Sequence, residues 1–504
     1  MSEDTLRAIA AGRLLSASDM IEVTPLVDGR TIASQSEHTF KIYNPASGAQ
    51  LIDIPNGCVA DVNNAVASAR RAYLAGAWRR AAPSSKKATL YRWADLIAQS
   101  ASRLDALDAL EMGKPISIPA FNAAAAAGLL RFNAEALDKY GGDVLTSDST
   151  STVLQKRTAR GVVAAIIPWN FPTYNILLKV GPALAAGNSV ILKPSELASQ
   201  SALVLAHLAL QAGLPPGTLN VVPGRGETVG AALAEHMDVD MVTFTGSSTV
   251  GKLILQYAGR SNMKVVSAEC GGKSPHVVFD DEVDLDMVAN HVAHAMTLNQ
   301  GQVCSLGSRL LVQRTIEEEL VEKIIGCFGH VTAGDPQLPS TSYGPLVSQI
   351  QMQRVLSYVD AGTSDGADLV HGGSRILQES GGYFVEPAVF VNVPEDSRLA
   401  QEEIFGPVLS VLRFGDIDDA IRLANGTCYG LAAYVWTSRM TTAMQLANAI
   451  NAGYTLVNAA EPTGEGPGMS FSCEPFGLSG VGVEGGLSGL ESYTRRQTLW
   501  FNHG

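Results

Sequence analysis

Between Gly161 and Cys270 the chain repeatedly sets a short β-branched run before a stretch of helical length, and this alternation restricts the fold more than any other feature. The runs are Val162 to Ile167, Ser189 to Leu192, Leu219 to Val222, Met241 to Phe244 and Val265 to Val266. Between them lie Ile176 to Ala186, Ala198 to Ala212, Thr228 to His236 and Thr249 to Ala258, each long enough for one crossover helix. The pattern predicts a parallel sheet with helices on both faces, whose ligands sit at the carboxyl ends of the strands. The groups that follow the runs are polar or glycine-rich: Pro168-Trp169-Asn170, Lys193-Pro194-Ser195-Glu196, Gly224-Arg225-Gly226, Gly246-Ser247 and Glu269. They are expected to converge on one edge.

A chain of 504 residues is too long for one simple core, so two or three packed domains are expected. Hydrophobic residues make up 46% and charged residues 17%, the balance of a globular enzyme rather than a disordered or fibrous chain. A net charge of -13 argues against nucleic acid or an anionic membrane as partner, since both demand a basic face. A small molecule is the expected ligand. Met1 to Gly12 offers no secretory signal, and no apolar run is long enough to span a bilayer. The cysteines Cys58, Cys270, Cys304, Cys327, Cys428 and Cys473 lack the spacing of a metal site or disulfide framework, which predicts reduced thiols, a cytoplasmic location and no metal.

Up to about residue 140 the chain reads as helical, with Asp61 to Leu74 and Lys86 to Glu111 carrying apolar residues at helical spacing. A second α/β stretch runs from Cys270 to Ala459 and contains Cys304, and the Gly-, Pro- and Ser-rich tract from Ala459 to Gly486 reads as a loop. Gly246 and Ser247 lead into a helix where free N–H groups and a positive dipole end could hold a pyrophosphate, although ordinary N-capping explains the pair as well. Lys193 and Glu196 suit a ribose diol, or form a surface ion pair. No GxGxxG fingerprint follows the first strand, so the site is not a standard Rossmann one. Cys304 follows the polar segment Asn299-Gln300-Gly301-Gln302, a setting that favours the attacking thiolate form, whereas Cys58, Cys327, Cys428 and Cys473 read as bystanders. Glu269, before Gly271-Gly272, suits a partly desolvated general base or a structural salt bridge.

Six segments together resemble the signatures of the aldehyde dehydrogenase superfamily, in the family's order. They are Pro168-Trp169-Asn170-Phe171-Pro172, Lys193-Pro194-Ser195-Glu196, Phe244-Thr245-Gly246-Ser247, Glu269-Cys270-Gly271-Gly272-Lys273-Ser274-Pro275, Asn299 to Cys304 and Glu402-Glu403-Ile404-Phe405-Gly406-Pro407. The resemblance implies a nucleophile at Cys304, an oxyanion donor at Asn170 and a general base at Glu269. It further implies cofactor contacts at Trp169, Lys193, Glu196, Gly226, Gly246, Ser247, Gly251, Glu403 and Phe405. The implied cofactor is NAD, because Glu196 would repel the 2′-phosphate of NADP unless it swings away, and NADP is the alternative.

The same resemblance implies an α/β fold with a Rossmann-variant cofactor domain at 1–140 and 161–269, a catalytic domain at 270–485, and a small β bridging element at 141–160 and 486–504. The strands of that element are expected to pair across a subunit interface in a homodimer or homotetramer. Phe171, Tyr174, Asn175, Leu178, Leu298, Val303, Ser305, Met469 and Phe471 are expected as pocket walls. They hold no arginine to clamp a substrate carboxylate, which points to a neutral aromatic or medium-chain aliphatic aldehyde. Two departures stand out: Cys270 where the family commonly has leucine, a second thiol that predicts sensitivity to oxidation, and a compressed Pro475-Phe476-Gly477-Leu478-Ser479-Gly480. The rival readings are a coenzyme-A-acylating dehydrogenase and a non-catalytic member of the fold.

Overall fold

The structure, a computed structural model, describes residues 14–281, 283–459 and 470–504. Its parallel strands in chain order are β1 (Val162–Ile166), β2 (Ser189–Lys193), β3 (Leu219–Val221), β4 (Met241–Thr245), β5 (Val265–Glu269), β6 (Pro275–Val278), β7 (Arg309–Gln313), β8 (Ala388–Val391), β9 (Val408–Phe414), β10 (Ala432–Trp436) and β11 (Tyr454–Val457). The first sheet runs β3-β2-β1-β4-β5, with Leu26–Val27 antiparallel on β3 and Gly480–Val481 antiparallel on β5. Every residue of β1 and β2 is buried, as strands covered by helices on both faces must be. Chain order climbs from β1 out to β3 and then crosses back to β4, so it reverses between β1 and β4. That reversal opens a crevice at their carboxyl ends.

The second sheet runs β8-β9-β7-β6-β10-β11, with Asp368–His371 antiparallel on β8. Only the segment 270–274 joins β5 to β6. So short a link makes the carboxyl edge of the first sheet face the amino edge of the second. No helix among the described residues is long and apolar enough to cross a membrane.

Two sequence expectations change. The early region is not wholly helical, because Thr39–Tyr43 and Gln50–Pro55 form an antiparallel pair ahead of helices α1 (Val59–Ala75), α2 (Pro83–Gln99), α3 (Ala101–Met112) and α4 (Ala123–Ala136). The helix expected over Lys86 to Glu111 breaks at Ser100, whose N–H closes α2 on Leu96 and Ile97 while its carbonyl accepts from Arg103 and Leu104 of α3. Within the chain, Ser151–Ala159 lies antiparallel to Thr494–Asn502 along its whole length, which leaves Thr494–Asn502 as the edge strand of that small sheet.

The break at Ser100 frees α3 to act as an anchor for the site. Asp105, Asp108 and Glu111 are spaced by three and so share one side of the helix. Asp105 accepts from the Ala123 N–H (2.9 Å) at the start of α4. Asp108 accepts from Thr173 (3.2 Å) at the start of α5 (Pro172–Ala185). Glu111 accepts from Ser199 and Gln200, both 3.1 Å, at the start of α6 (Gln200–Gln211). Each carboxylate meets orphan N–H groups at the positive end of a helix.

Burial pushes the Asp108 carboxyl up to about 7 and that of Glu111 up to about 8, with backbone N–H donors pulling both the other way. An acid whose pKa rises on folding holds its proton more tightly in the folded state. Its contribution to stability is therefore present at low pH and lost as pH climbs from about 4.5 towards about 8. Glu111→Gln keeps the acceptor and removes the titration, so thermal denaturation followed across that window should fall less steeply with pH than in wild type. Parallel curves for the two proteins would refute this account of Glu111.

Candidate active site

Cys304 follows a turn that few sequences tolerate. Asn299, Gln300 and Gly301 all have positive φ, at 47°, 56° and 71°. The left-handed region costs a non-glycine residue about 1–3 kcal/mol, so the surroundings must hold it. They do so through buried amides: Asn299 Nδ2 donates to the Asn170 carbonyl (3.0 Å), Gln302 Nε2 donates to the Asn299 carbonyl (3.0 Å), and the Val347 N–H donates to Gln302 Oε1 (3.0 Å). Gly301 is required sterically as well, because a Cβ there would lie 2.4 Å from the Gly406 carbonyl group.

Asn170 arrives from the end of β1, just before Pro172 opens α5. Its Nδ2 donates to the Gln302 carbonyl (3.1 Å), and its Oδ1 accepts from Asn175 Nδ2 (3.3 Å). The side-chain amide is thereby fixed, with one N–H still unspent. Glu269 is the last residue of β5 and is 7% exposed, with Oε1 buried and unpartnered. Burial raises its carboxyl well above the ordinary range, the nearby Glu484 charge adds to the rise, and Lys179 opposes it. Lys179, fully buried in α5, makes an ion pair with Glu484.

Two cavities meet at this point. The narrower, about 160 Å³, is walled by Phe171, Tyr174, Leu178, Val303, Tyr454 and Phe471. The larger, about 600 Å³, runs past Trp169, Gly246, Ser247, Glu403 and Phe405 at the crevice between β1 and β4. Asn170, Thr245 and Cys304 line both. In the first sheet these residues follow strands. In the second they precede them: Cys304 and Ser305 before β7, Glu403 and Phe405 before β9, and Tyr454 at the start of β11.

Asn175 and Ser305 also line the narrow cavity, but Leu298 turns to a separate small cavity beside His276 and Trp436, and Met469 lies outside the described residues. Lys193, Glu196, Gly226 and Gly251 line neither large cavity. Lys193 and Glu196 form an ion pair of 3.2 Å at the end of β2. Gly226 opens the turn after β3, and a Cβ there would meet nothing. Gly251 serves packing: a Cβ would lie 2.7 Å from Cys270 Sγ, so its bareness lets helix α7 (Ser248–Arg260) close on the sheet. The Ser247 side chain accepts from the Val250 N–H and so caps that helix.

Sequence reasoning missed several residues. Lys179 and Glu484 carried one available signal, a lysine inside the apolar run Ile176 to Ala186. Phe121 packs 4.6 Å from Phe171 and 5.0 Å from Tyr174, ring to ring, and completes an aromatic wall. Gln351 and Arg354 hold the loop in which Phe405 has φ 61°, Gln351 donating to the Phe405 carbonyl (2.8 Å) and Arg354 to that of Glu403 (2.6 Å). Burial pushes the Glu403 carboxyl up to about 7, and its Oε1 accepts from the Gly272 N–H (3.1 Å).

Comparison with known proteins adds an independent line. Residues 31–499 match the model of the aldehyde dehydrogenase family. An aldehyde dehydrogenase of Aspergillus niger is 38% identical over 481 residues, 95% of each chain. An aminoacetaldehyde dehydrogenase of Pseudomonas aeruginosa is 41% identical over 481 residues, 94% of this chain and 95% of that one. An indole-3-acetaldehyde dehydrogenase solved with NAD+ superposes with a TM-score of 0.93 at 45% identity, covering 96% of this chain and 98% of that one.

Cys270 occupies a setting that bears on its expected oxidation. Its side chain is 4% exposed, turned into the core against Gly251, and burial together with the charges of Glu269 and Glu403 pushes its thiol up to about 12. Oxidants attack thiolates, so this burial and raised pKa argue against the sensitivity expected of a second thiol. Peroxide should inactivate Cys270→Ala at the wild-type rate; slower loss of activity in the variant would restore the oxidation role.

Proposed function

The chain belongs to the aldehyde dehydrogenase family and is an NAD-dependent oxidoreductase; from that premise we propose that it oxidises a neutral aromatic or medium-chain aliphatic aldehyde to the free acid through a thioester on Cys304. The observation that carries this reading is the position of Cys304 where the narrow cavity meets the larger one. The larger cavity fits a dinucleotide on two counts. Thr245 Oγ1 is buried there without a partner, and the bare Gly271 makes room for the Glu403 carboxylate at the cavity wall, since a Cβ at 271 would lie 2.1 Å from Glu403 Oε2. Trp169, Gly246, Ser247, Glu403 and Phe405 would hold the cofactor, with Lys193 and Glu196 on the same edge for the adenosine ribose. The Glu196 carboxylate favours NAD over NADP, whose extra phosphate it would repel.

The Cys304 sulfur adds to the aldehyde carbon, and the carbonyl oxygen becomes an oxyanion. The free N–H of Asn170 and the backbone N–H of Cys304 stabilise that charge; loss of one such donor costs about 2.7–4 kcal/mol of barrier. When bound, the nicotinamide supplies the acceptor for the hydride that leaves the adduct. Glu269 then takes a proton from the water that attacks the thioester carbonyl, and the acid and the Cys304 thiol are released. A carboxyl whose proton affinity is raised by burial is a stronger base for this exchange. The Lys179–Glu484 pair beside it tunes the field in which it works.

The cavity walls support the substrate class. Phe121, Phe171 and Tyr174 form one aromatic side, Tyr454 and Phe471 the other, and no lysine, arginine or histidine is among the described residues that line it. Glu484 also lines it, but its charge is engaged by Lys179, which favours a neutral substrate over an amine. The presence of Glu269 favours hydrolysis over transfer to coenzyme A, and the convergence of Cys304, Asn170 and Glu269 favours catalysis over a purely structural role. We assign 1–140 and 161–269 to the cofactor domain, 270–485 to the catalytic domain, and 141–160 with 486–504 to a bridging element of a homodimer or homotetramer. Trp500 and Phe501, 73% and 51% exposed on its edge strand, support such an assembly. The six cysteines form no disulfide among the described residues, which suits the cytoplasm.

Cys304→Ala should form no NADH with any aldehyde, and Asn170→Ala should lose about a hundred- to a thousandfold in kcat. Glu269→Gln should give a burst of about one NADH per site and then stall, the kinetic mark of a trapped acyl-enzyme. Full steady turnover in Glu269→Gln would remove it as the base. Benzaldehyde and hexanal should exceed succinic semialdehyde in kcat/KM; the reverse ranking would overturn the substrate class.

A further inference from the structure

A third cavity, of about 480 Å³, lies away from Cys304 and has a lining of a different kind. Arg79, Arg80 and Lys86 come from the turn and first helical residues after α1, and Lys156, Arg157 and Arg495 from the two long paired strands. No aspartate or glutamate lines it. The strand register explains the sorting of charge. Arg495 stands opposite Thr158 and Gln497 opposite Lys156, so these four residues share one face of the paired strands, and all four line the cavity. Arg496 stands opposite Arg157, and both make ion pairs with Glu491. Among the described residues, the one carboxylate that makes ion pairs with these strands therefore serves Arg157 and Arg496.

Arg79, Arg80, Lys86, Lys156 and Arg495 make no ion pair among the described residues. Composition does not explain five such cations around one hollow, because the chain carries 49 acidic residues against 36 Lys and Arg. Lys86 spends one donor on the Arg79 carbonyl (3.2 Å), and burial lowers its pKa, so an anion beside it would restore what desolvation removes. The single aromatic residue of the lining, Tyr73, already has the Arg79 guanidinium 4.6 Å above its ring. Tyr73 is also 7% exposed, so little of its ring is open for a base to stack on.

We propose that this cavity binds an oligophosphate anion, its phosphates shared between the Arg79–Lys86 side and the Lys156–Arg495 side. Guanidinium forks match phosphate oxygens in pairs, and only an anion with several charged groups can engage cations on both sides of a space this wide.

Inorganic tripolyphosphate is the probe, titrated calorimetrically into the full chain, with sodium chloride at matched ionic strength as control. Saturable binding is expected, together with a rise in Tm that the salt does not reproduce. The double variant Arg79→Gln/Arg495→Gln should abolish the binding and leave NADH formation with benzaldehyde unchanged. Lys156→Gln, at an exposed position that tolerates change, should weaken binding about tenfold. A Tm response that only follows ionic strength, or binding that survives in both variants, overturns the proposal. So does a fall in the mass measured by light scattering in the double variant, which would assign the cations to carboxylates of a second copy of the chain.

Discussion

The whole site depends on one close approach of backbone to backbone, Gly301 against Gly406. There is no room between them for a methyl group. This contact ties the loop that ends in Cys304 to the loop that carries Glu403 and Phe405, and it explains why the chain accepts left-handed conformations at Asn299, Gln300 and Phe405. The strain is offset by side-chain amides that satisfy the irregular backbone: Asn170 and Asn299 on one side, Gln302 and Gln351 on the other. A buried polar network of this kind specifies geometry because each member lost would leave another without a partner.

Much of this was legible in the chain. The alternation from Gly161 to Cys270 foretold the parallel sheet, and the residues after its strands do collect at one edge because the order reverses between β1 and β4. The same rule misleads in the second sheet, where Cys304, Glu403 and Tyr454 precede their strands. Nothing in local sequence says which edge of a sheet will face its neighbour; the short 270–274 link decides it. The break at Ser100 was hidden by apolar spacing that stays in phase through it. The partners of Asp105, Asp108 and Glu111 were invisible because their hydrogen bonds reach across 18 to 89 positions.

Electrostatics divides the molecule in a way that composition conceals. Acidic residues are in excess overall, yet carboxyls with raised pKa gather in the interior, at Asp108, Glu111, Glu269 and Glu403. Backbone N–H groups oppose the rise at Asp108, Glu111 and Glu403, and the Lys179 charge opposes it at Glu269. Net charge therefore says little about the field inside the site, which is set by a few desolvated groups and by helix ends.

The anchoring of three helix starts by α3 divides the molecule between parts that can diverge and parts that cannot. The helices beginning after Asn170 and after Glu196, and the one that supplies Leu129 to the narrow cavity, all take their position from a single twelve-residue element. A change in α3 is felt at the oxyanion, the ribose end and one substrate wall together, so selection can hardly adjust one without disturbing the others. Tyr454 and Phe471 hang from different parts of the chain and owe nothing to that anchor. Diversification of the accepted aldehyde, by evolution or by design, has its open route through that opposite wall.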